Sequence, residues 1–267
     1  MREEMKGRAA MTNAEIERIA RCQSAIDSGC RAEDFLSHQN KVVISQPHPD
    51  ARRYLSLPFS CDLTSYGSNI VASVSPSLAD AVLGYINRFA VEHCFETPNL
   101  HVLMELLKPH GLNVCFMAEY FLPDLSVLRP LDCAYETRVL SPEDFSDLYL
   151  PAWSNALCEK RKELDRIAVG AYDGEKLIGL AGASADCDTM WQIGIDVLPE
   201  YRRQGIASAL TSRIACEILD RGLVPFYCCA WSNLGSARNA IRSGFRPAWV
   251  QVTAKPQEMI NSFNGVE

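Results

Sequence analysis

The fold of the second half of the chain is decided by the stretch Ile193-Gly194-Ile195-Asp196-Val197-Leu198-Pro199-Glu200-Tyr201-Arg202-Arg203-Gln204-Gly205-Ile206-Ala207. Its first part predicts a strand that ends at Pro199, because proline has no N–H to donate to a β-ladder. A loop with two arginines follows, and Gly205 opens a predicted helix. The N-terminus of such a helix presents unpaired N–H groups and the positive end of the helix dipole. The pattern suits a pyrophosphate, and an ordinary strand–turn–helix with a solvated basic turn is the structural alternative.

The elements around this stretch are regular. Residues 141–144, Ser-Pro-Glu-Asp, are typical of a helix cap and predict a helix after the first strand. Residues 173–176 predict a hairpin turn. The predicted order is β α β β β α β α β, with strands at 136–140, 167–172, 177–183, 190–198, 225–231 and 248–254 and later helices at 205–221 and 234–242.

Two motifs resemble those of one family. The run Val197–Ala207 is similar to the central motif of the GNAT superfamily of acyl-CoA-dependent N-acyltransferases, an Arg/Gln-x-x-Gly-x-Gly/Ala loop after a Val-x-Pro strand end. The turn Asn233–Ser236, followed by Gly244-Phe245, resembles the Asn-bearing turn and the closing Gly-Phe of that family. The resemblance covers about residues 134–255. It implies an α/β (α+β) fold, with a mixed, mostly antiparallel GNAT-type sheet flanked by helices.

The resemblance also implies a site. Acetyl-CoA would be the co-substrate, and the pantetheine arm would join like an extra strand where the strand bulges at 195–197. The loop 203–208 would wrap the pyrophosphate, and a backbone N–H near Val197 or Leu198 would stabilise the oxyanion of the thioester carbonyl. A neutral amine would attack the thioester directly, with no covalent enzyme intermediate. The cofactor-binding residues would be Ile195, Val197, Arg202, Arg203, Gln204, Gly205, Ile206, Ala207, Ser208, Asn233 and Ser236.

The sequence departs from the family at the acid and the base. Ala240 stands where many members have a tyrosine that protonates the CoA thiolate, and Cys228 stands where the peptide-N-terminus branch often has a glutamate. Asp196 is the candidate base, and a structural carboxylate satisfied by backbone N–H groups is an equally weighted alternative. Tyr227 and Cys228 point to opposite faces of their strand, so one of them should face the thioester. Ser236 would relay a proton or, preferably, cap the last helix.

The first half predicts a smaller N-terminal α/β domain, with helices at 12–25, from 75 and at 97–108, and a domain boundary near 125–134. The resulting domains are 1–130, an accessory or substrate domain, and 131–267, the acetyltransferase domain. Glu119 lies in an otherwise apolar predicted strand, and a carboxylate there costs free energy unless it is paired or faces a cleft. Glu119 is therefore a catalytic candidate for gripping the substrate amine, with an edge position facing water as the alternative.

Composition restricts the class of protein. The chain of 267 residues has a net charge of −7 and contains eleven cysteines. Neither half is basic, which argues against an extended nucleic-acid-binding face. No apolar run approaches the roughly 18 residues of a membrane helix, and residues 1–10 do not resemble a secretory signal. The cysteines are scattered without metal-ligand spacing, so we expect reduced thiols, no metal and a cytoplasmic location.

These observations lead to a prediction of function. We expect an N-acetyltransferase that uses acetyl-CoA and a small-molecule amine acceptor, without nucleic-acid or membrane partners, and the question of a homodimer is open. Acetylation of a protein or peptide amine is the alternative within enzymes. A non-catalytic acyl-CoA-binding sensor is the alternative from another class, because the family's tyrosine is missing at Ala240.

Overall fold

The computed structural model describes residues 11–265, so the expectation about a secretory signal in residues 1–10 lies outside the described part. The helices are α1 (Asn13–Ser28), α2 (Ala79–Ile86), α3 (Thr97–Leu107), α4 (Ile206–Asp220), α5 (Leu234–Arg242) and α6 (Gln257–Asn264). The strands are β1 (Lys41–Ile44), β2 (Cys61–Ser65), β3 (Val71–Val74), β4 (Leu112–Pro123), β5 (Glu136–Leu140), β6 (Asp165–Asp173), β7 (Lys176–Ser184), β8 (Met190–Val197), β9 (Val224–Ala230) and β10 (Phe245–Pro256).

The ten strands form one sheet in the order β1-β3-β2-β10-β4-β9-β8-β7-β6-β5. Adjacent strands are antiparallel except for the pairs β1–β3 and β8–β9, which are parallel. The predicted fold class, a mixed and mostly antiparallel sheet flanked by helices, is confirmed.

Strand β4 joins the two parts of the chain. It comes from the first half but lies between β9 and β10, and Glu119 is paired with Cys229 on one side and with Val250 on the other. Strand β10 also pairs with β2. The division into domains 1–130 and 131–267 stays a prediction, and the parts on either side of the proposed boundary share one continuous sheet.

The sheet has two covered faces. On one face, here called the α4 face, Ile193 of β8 packs in an apolar core with Ile206 and Leu210 of α4. On the opposite face, the α1 face, Ile16 and Ala20 of α1 share a core with strand residues from β8, β9 and β10. Because side chains alternate along a strand, the odd-numbered residues of β8 point to the α4 face and the even-numbered ones to the α1 face.

The helix that we predicted after β5 is wrong. Residues 141–164 form turns and two short 3-10 segments, Pro151–Trp153 and Glu159–Leu164. The first turn does form, since the backbone N–H and the hydroxyl of Ser141 both donate to Asp144 Oδ2 at 2.8 Å. It does not continue into a helix because Pro151 interrupts the segment, and proline removes a helical hydrogen bond and clashes with the preceding turn.

Other boundaries differ in smaller ways. Thr12 caps α1, with its side chain accepting from the Glu15 N–H. Ser75 makes no capping hydrogen bond, and a short 3-10 turn over Pro76–Leu78 precedes α2. Strand β2 and helix α6 were not predicted. Among the described residues, no helix has both the length and the apolar character needed to cross a membrane.

Candidate active site

The parallel strands β8 and β9 separate at their C-terminal ends. Their pairing runs from Met190↔Val224 to Ile193↔Tyr227 and then stops. Beyond that point β8 is paired only with β7, as far as Gly179↔Val197, and β9 is paired only with β4. The segments 194–197 and 228–230 therefore border a gap into which an extended ligand can donate and accept backbone hydrogen bonds.

The register of β8 corrects the expected bulge. Strand β8 pairs with β7 without a register shift. Its other edge is therefore free because the pairing with β9 ends, and not because β8 bulges. The Leu198 N–H donates to the Ile178 carbonyl at 2.9 Å. Because successive residues of a strand alternate in the direction of their N–H groups, the amides of Ile195 and Val197 point into the gap. Val197 is therefore the possible oxyanion donor, and Leu198 is excluded.

The loop after β8 is fixed by its backbone and by Arg202. The Arg202 Nε donates to the Val197 carbonyl at 3.0 Å. Arg203 has φ +63°, and Gly205, the residue before α4, has φ +85°, a left-handed conformation that favours glycine. No side chain caps α4 at Gly205. The first N–H groups of the helix, at 206–208, have no helical acceptor and are available to an anion.

A pocket of about 260 Å³ lies in front of these amides. Four arginines line it, Arg202 and Arg203 from the loop and Arg238 and Arg242 from α5. Guanidinium groups bind phosphate oxygens through charge-assisted, often bidentate hydrogen bonds. The other lining residues are Val197, Tyr201, Gly205, Ile206, Ala207, Ser208, Gly235 and Asn239. The pocket therefore combines a helix N-terminus with four cationic side chains, an arrangement that suits a pyrophosphate.

Helices α4 and α5 are tied together beside this pocket. The Ser208 hydroxyl donates to Asn239 Oδ1 at 3.0 Å, and Asn239 Nδ2 donates to the Thr211 hydroxyl at 3.0 Å. These bonds hold Arg238 and Arg242 of α5 against the N-terminus of α4. Sequence reasoning missed Asn239 and both arginines, although the i, i+4 spacing of Arg238 and Arg242 places them on one helix face.

The sequence of this region matches a family model. The model of the acetyltransferase (GNAT) family matches residues 131–245. The chain carries a GNAT acetyltransferase domain. Acyl transfer is therefore the chemistry that this part of the fold supports. The search of curated proteins gave no match.

Several solved structures are similar to the chain. An acetyltransferase of the GNAT family from Colwellia psychrerythraea is 16% identical, with TM-score 0.42, and the match covers 54% of this chain and 57% of that one. A GCN5-related N-acetyltransferase from Kribbella flavida is 16% identical, with TM-score 0.46 and coverage of 57% and 62%. The chain thus spans less than two thirds of the length of both. A Drosophila protein is 16% identical, with TM-score 0.43 and 78% of each chain covered.

Several residues that we assigned to the cofactor have buried or occupied side chains in the GNAT domain. The side chains of Ile206 and Ser208 are buried, at 2% and 5% exposure, and face the protein interior. Ile195 and Val197 pack against the α4 core. Ile206 and Ser208 therefore offer main-chain groups to a ligand, whereas the half-buried Ile195, Val197 and Ala207 also offer part of an apolar side chain. Gln204 is exposed but accepts a hydrogen bond from the Tyr135 hydroxyl at 3.0 Å, which orients its amide.

Asn233 has the capping role that we expected of Ser236. Asn233 caps α5, since its Oδ1 accepts from the Ser236 N–H at 3.1 Å. Ser236 is the third residue of the helix and cannot be its cap, so that prediction is wrong. Its hydroxyl lies 2.7 Å from the Tyr227 hydroxyl. The Asn233 Nδ2 group and the Ser236–Tyr227 hydroxyl pair are what this turn can offer to a ligand.

Tyr227 and Cys228 point to opposite faces as predicted. Tyr227 belongs to the core on the α4 face, and Cys228 packs with the residues of the α1 face. The Gln192 amide donates to the Cys228 sulfur at 3.1 Å across the two strands. Burial raises the pKa of Cys228 to about 12, with the nearby Cys229 adding to the effect. The thiol is therefore protonated at neutral pH and is a poor nucleophile.

Asp196 serves as an anchor for the irregular segment 141–164. Its carboxylate accepts from the N–H and the side-chain amide of Asn155, at 2.8 and 2.6 Å, and from the Ala156 N–H at 3.0 Å. A side chain at Gly194 would collide with the Asn155 carbonyl oxygen, so this glycine lets the segment lie directly on β8. The three hydrogen bonds favour the structural alternative for Asp196, and its role as a base stays a prediction.

Glu119 lies apart from Asp196. It shares its face of β4 with Phe121, which belongs to the core on the α4 face, whereas Asp196 points to the α1 face. Strand β9 also separates the two residues. Glu119 is half-buried, and burial raises the pKa of its carboxyl group. The structure thus does not bring the two catalytic candidates together. Among residues 11–265, no three His, Cys, Asp or Glu side chains are arranged to hold a metal ion.

Proposed function

We propose that the chain is an N-acetyltransferase that moves the acetyl group of acetyl-CoA to the primary amine of a small molecule. The observation that carries this proposal is the four-arginine pocket at the N-terminus of α4, located directly beside the gap between β8 and β9. The pocket suits the pyrophosphate of CoA, and the gap suits its extended pantetheine arm. The two features are continuous through Val197, which ends β8 and lines the pocket.

The transfer needs a donor to the oxyanion, an acceptor for the proton of the amine and a proton for the CoA thiolate. The amine nitrogen attacks the thioester carbonyl carbon, the new C–N bond forms and the C–S bond breaks. The N–H of Val197 stabilises the carbonyl oxygen as its negative charge grows. The amine loses one proton to water or to a carboxylate of the protein, and the CoA thiolate takes up one proton, so that the step is balanced.

Tyr227 is placed to supply the proton of the thiolate. It forms the last residue pair before the gap, and its hydroxyl contacts Ser236 in the first turn of α5. Helical side chains lean toward the helix N-terminus, so a tyrosine at position 240 would lean over Ser236. In this proposal Tyr227 reaches the same turn from the neighbouring strand. It takes the role of the family's tyrosine, whose position is occupied here by Ala240. Burial raises the pKa of Tyr227, which keeps its hydroxyl protonated at neutral pH.

Charge and compartment are consistent with a small amine. The net charge of −7 attracts cationic acceptors in preference to anionic ones. We further propose a cytoplasmic location, which is supported by the eleven cysteines, all of them free thiols in the structure. An acyl-CoA sensor is the second candidate, since the family's tyrosine position is occupied by the buried Ala240.

The test is turnover. The full chain is incubated with acetyl-CoA and a panel of primary amines and N-terminal peptides, and free CoA thiol and acetylated product are measured together. The proposal expects amine-dependent release of CoA with the small amines. Binding of acetyl-CoA without any product would indicate the sensor, and product with peptides alone would indicate a protein or peptide acetyltransferase.

A further inference from the structure

A second pocket lies on the α4 face of the sheet, where β2 ends beside β10. Its volume is about 260 Å³, and it is lined by Tyr66, Glu92, Phe95, Glu119, Trp249 and Val250, among others. Most of these residues come from the first half of the chain, and Trp249 and Val250 come from the second. The volume is slightly below the roughly 300–1,000 Å³ of typical ligand pockets, so the pocket suits a small molecule.

The lining combines apolar and acidic side chains. The carboxylates of Glu119 and Glu92 have no hydrogen-bond or salt-bridge partner among residues 11–265, and no lysine or arginine is among the lining residues. The ring of Trp249 packs against Tyr66 and Tyr120 on the α1 face, so Trp249 borders the pocket with its main chain. The ring of Phe95 and an unpaired carboxylate are groups that bind an organic ammonium ion. The pocket therefore suits a cation with an apolar body.

The pocket is close to the gap between β8 and β9. Glu119 pairs directly with Cys229, and Cys229 belongs to the part of β9 that has lost β8 as a partner. Adjacent strands lie about 4.8 Å apart, so Glu119 is one strand away from the edge of the gap. An amine held by Glu119 lies within the length of a short side chain from a thioester in the gap.

We propose that this pocket binds the acceptor, and that the acceptor is a small primary ammonium compound with an aromatic or apolar body. The proposal rests on the proposed function, because it places the acceptor next to the acyl-CoA site. The ammonium group pairs with Glu119 and gives one proton to water before the neutral amine attacks, and the apolar body packs against Phe95 and Val250. The N-terminal part of the chain thus selects the acceptor, and the GNAT domain holds the acyl donor.

The experiment compares four proteins by calorimetry and by steady-state kinetics, with 2-phenylethylamine as the probe. The variants are Glu119→Gln, which keeps the shape and removes the charge, and Val91→Phe, which fills the pocket from its half-buried rim position. Glu105→Gln on the exposed side of α3 is the matched control, since it removes the same charge outside the pocket. Acetyl-CoA affinity is measured for each protein and should stay within twofold of the unmodified chain.

For Glu119→Gln we expect the dissociation constant and KM for 2-phenylethylamine to rise at least about tenfold, with kcat within about threefold. Val91→Phe should raise the same two constants, and Glu105→Gln should change neither. The neutral analogue 2-phenylethanol should bind Glu119→Gln as well as it binds the unmodified chain.

Three results would overturn the proposal. The first is an amine that is acetylated with an unchanged KM by Glu119→Gln and Val91→Phe, which would place the acceptor elsewhere. The second is loss of amine binding in Glu119→Gln without any change in KM, which would make the pocket a cation site outside the reaction. The third is no binding of 2-phenylethylamine by the unmodified chain. Glu119-dependent binding without acetylation of any amine would contradict the proposed function and leave the cation pocket in place.

Discussion

At the scale of single residues, β8 presents different groups to its two sides. Its even-numbered residues Gly194 and Asp196 hold the segment around Asn155 on the α1 face. Its odd-numbered residues point their side chains into the α4 core and their amides into the gap. One strand therefore fixes an irregular segment and presents backbone donors to a ligand. The strand itself was predictable, because its apolar run and Pro199 are local signals.

The replacement Asp196→Asn tests the anchor. Asparagine has one acceptor oxygen in place of the two of aspartate, so at least one of the donors on Asn155 and Ala156 loses its partner. We expect a loss of about 1–3 kcal/mol in the free energy of unfolding, measured by urea denaturation. Turnover per folded molecule should change by less than about threefold. A variant of unchanged stability whose turnover falls by about 10²–10⁴ would instead make Asp196 the general base.

Only two of the four arginines of the cofactor pocket could be predicted from the sequence. Arg202 and Arg203 lie just before Gly205 in the sequence, so the motif was enough to predict them as pocket residues. Arg238 and Arg242 are more than thirty positions further along the chain, and they reach the pocket only because the bonds of Asn239 fix α5 against α4. That arrangement depends on tertiary packing, which spacing along one helix does not reveal.

At the scale of elements, short-range signals located most strands and helices of the second half within a few residues. The exception is the segment between β5 and β6. Its capping signal is real, but carboxylates of two strands hold it, the adjoining β6 and the distant β8. Asp196 holds its middle, and Asp165 of β6 accepts from the Cys158 N–H at 3.0 Å. A sequence pattern cannot show that such non-local anchors replace helical hydrogen bonds.

The pairing of β2 with β10 makes the free energy of unfolding depend on pH. Asp62 of β2 is buried and accepts hydrogen bonds from Gln251 Nε2 at 2.9 Å, Thr253 Oγ1 at 2.6 Å and Thr64 Oγ1 at 3.1 Å. Burial outweighs these bonds and raises the pKa of Asp62 from 3.8 to about 6. The folded state therefore binds this proton more tightly than the unfolded state does. Its contribution to stability is complete below pH 4 and is lost as the pH rises through 6.

The Asp62→Asn variant isolates this effect. Between pH 4 and 7 the unmodified chain should lose on the order of 1–3 kcal/mol of unfolding free energy relative to the variant. The comparison of the two proteins removes the contribution of Asp165, whose pKa burial also raises to about 6. Urea denaturation at several pH values provides the measurement. Parallel stability profiles would show that folding does not raise the pKa of Asp62.

At the scale of the whole molecule, β4 makes the two parts of the chain interdependent. Three of its residues, Tyr120, Phe121 and Leu122, are almost completely buried between β9 and β10. The sequence predicted β4 as a strand but could not predict its neighbours, because both partners lie more than a hundred residues away in the chain. Non-local pairing of this kind leaves no local pattern.

Two fragments test this interdependence. A fragment of residues 131–267 lacks β4 and exposes the facing edges of β9 and β10, so we expect it to aggregate or to unfold without a cooperative transition. A fragment of residues 112–267 keeps β4, and we expect it to unfold more cooperatively than the shorter one. Circular dichroism during thermal unfolding compares them. A cooperative transition in fragment 131–267 would show that the GNAT domain folds without β4 and would support the domain boundary near residue 131.

The assignment of the four-arginine pocket to acetyl-CoA is tested most directly by calorimetry. Acetyl-CoA is titrated into the full chain and into two variants, Gly205→Asp and Gly205→Asn. Both variants place a side chain of nearly the same shape at φ +85°, where no other protein atom lies within 4 Å of the added Cβ, so they share any backbone strain. Only the aspartate puts a negative charge beside the phosphates. We expect tight binding by the unmodified chain and binding by Gly205→Asp at least about tenfold weaker than by Gly205→Asn. Affinities within twofold of one another in all three proteins would contradict the assignment of this pocket to acetyl-CoA.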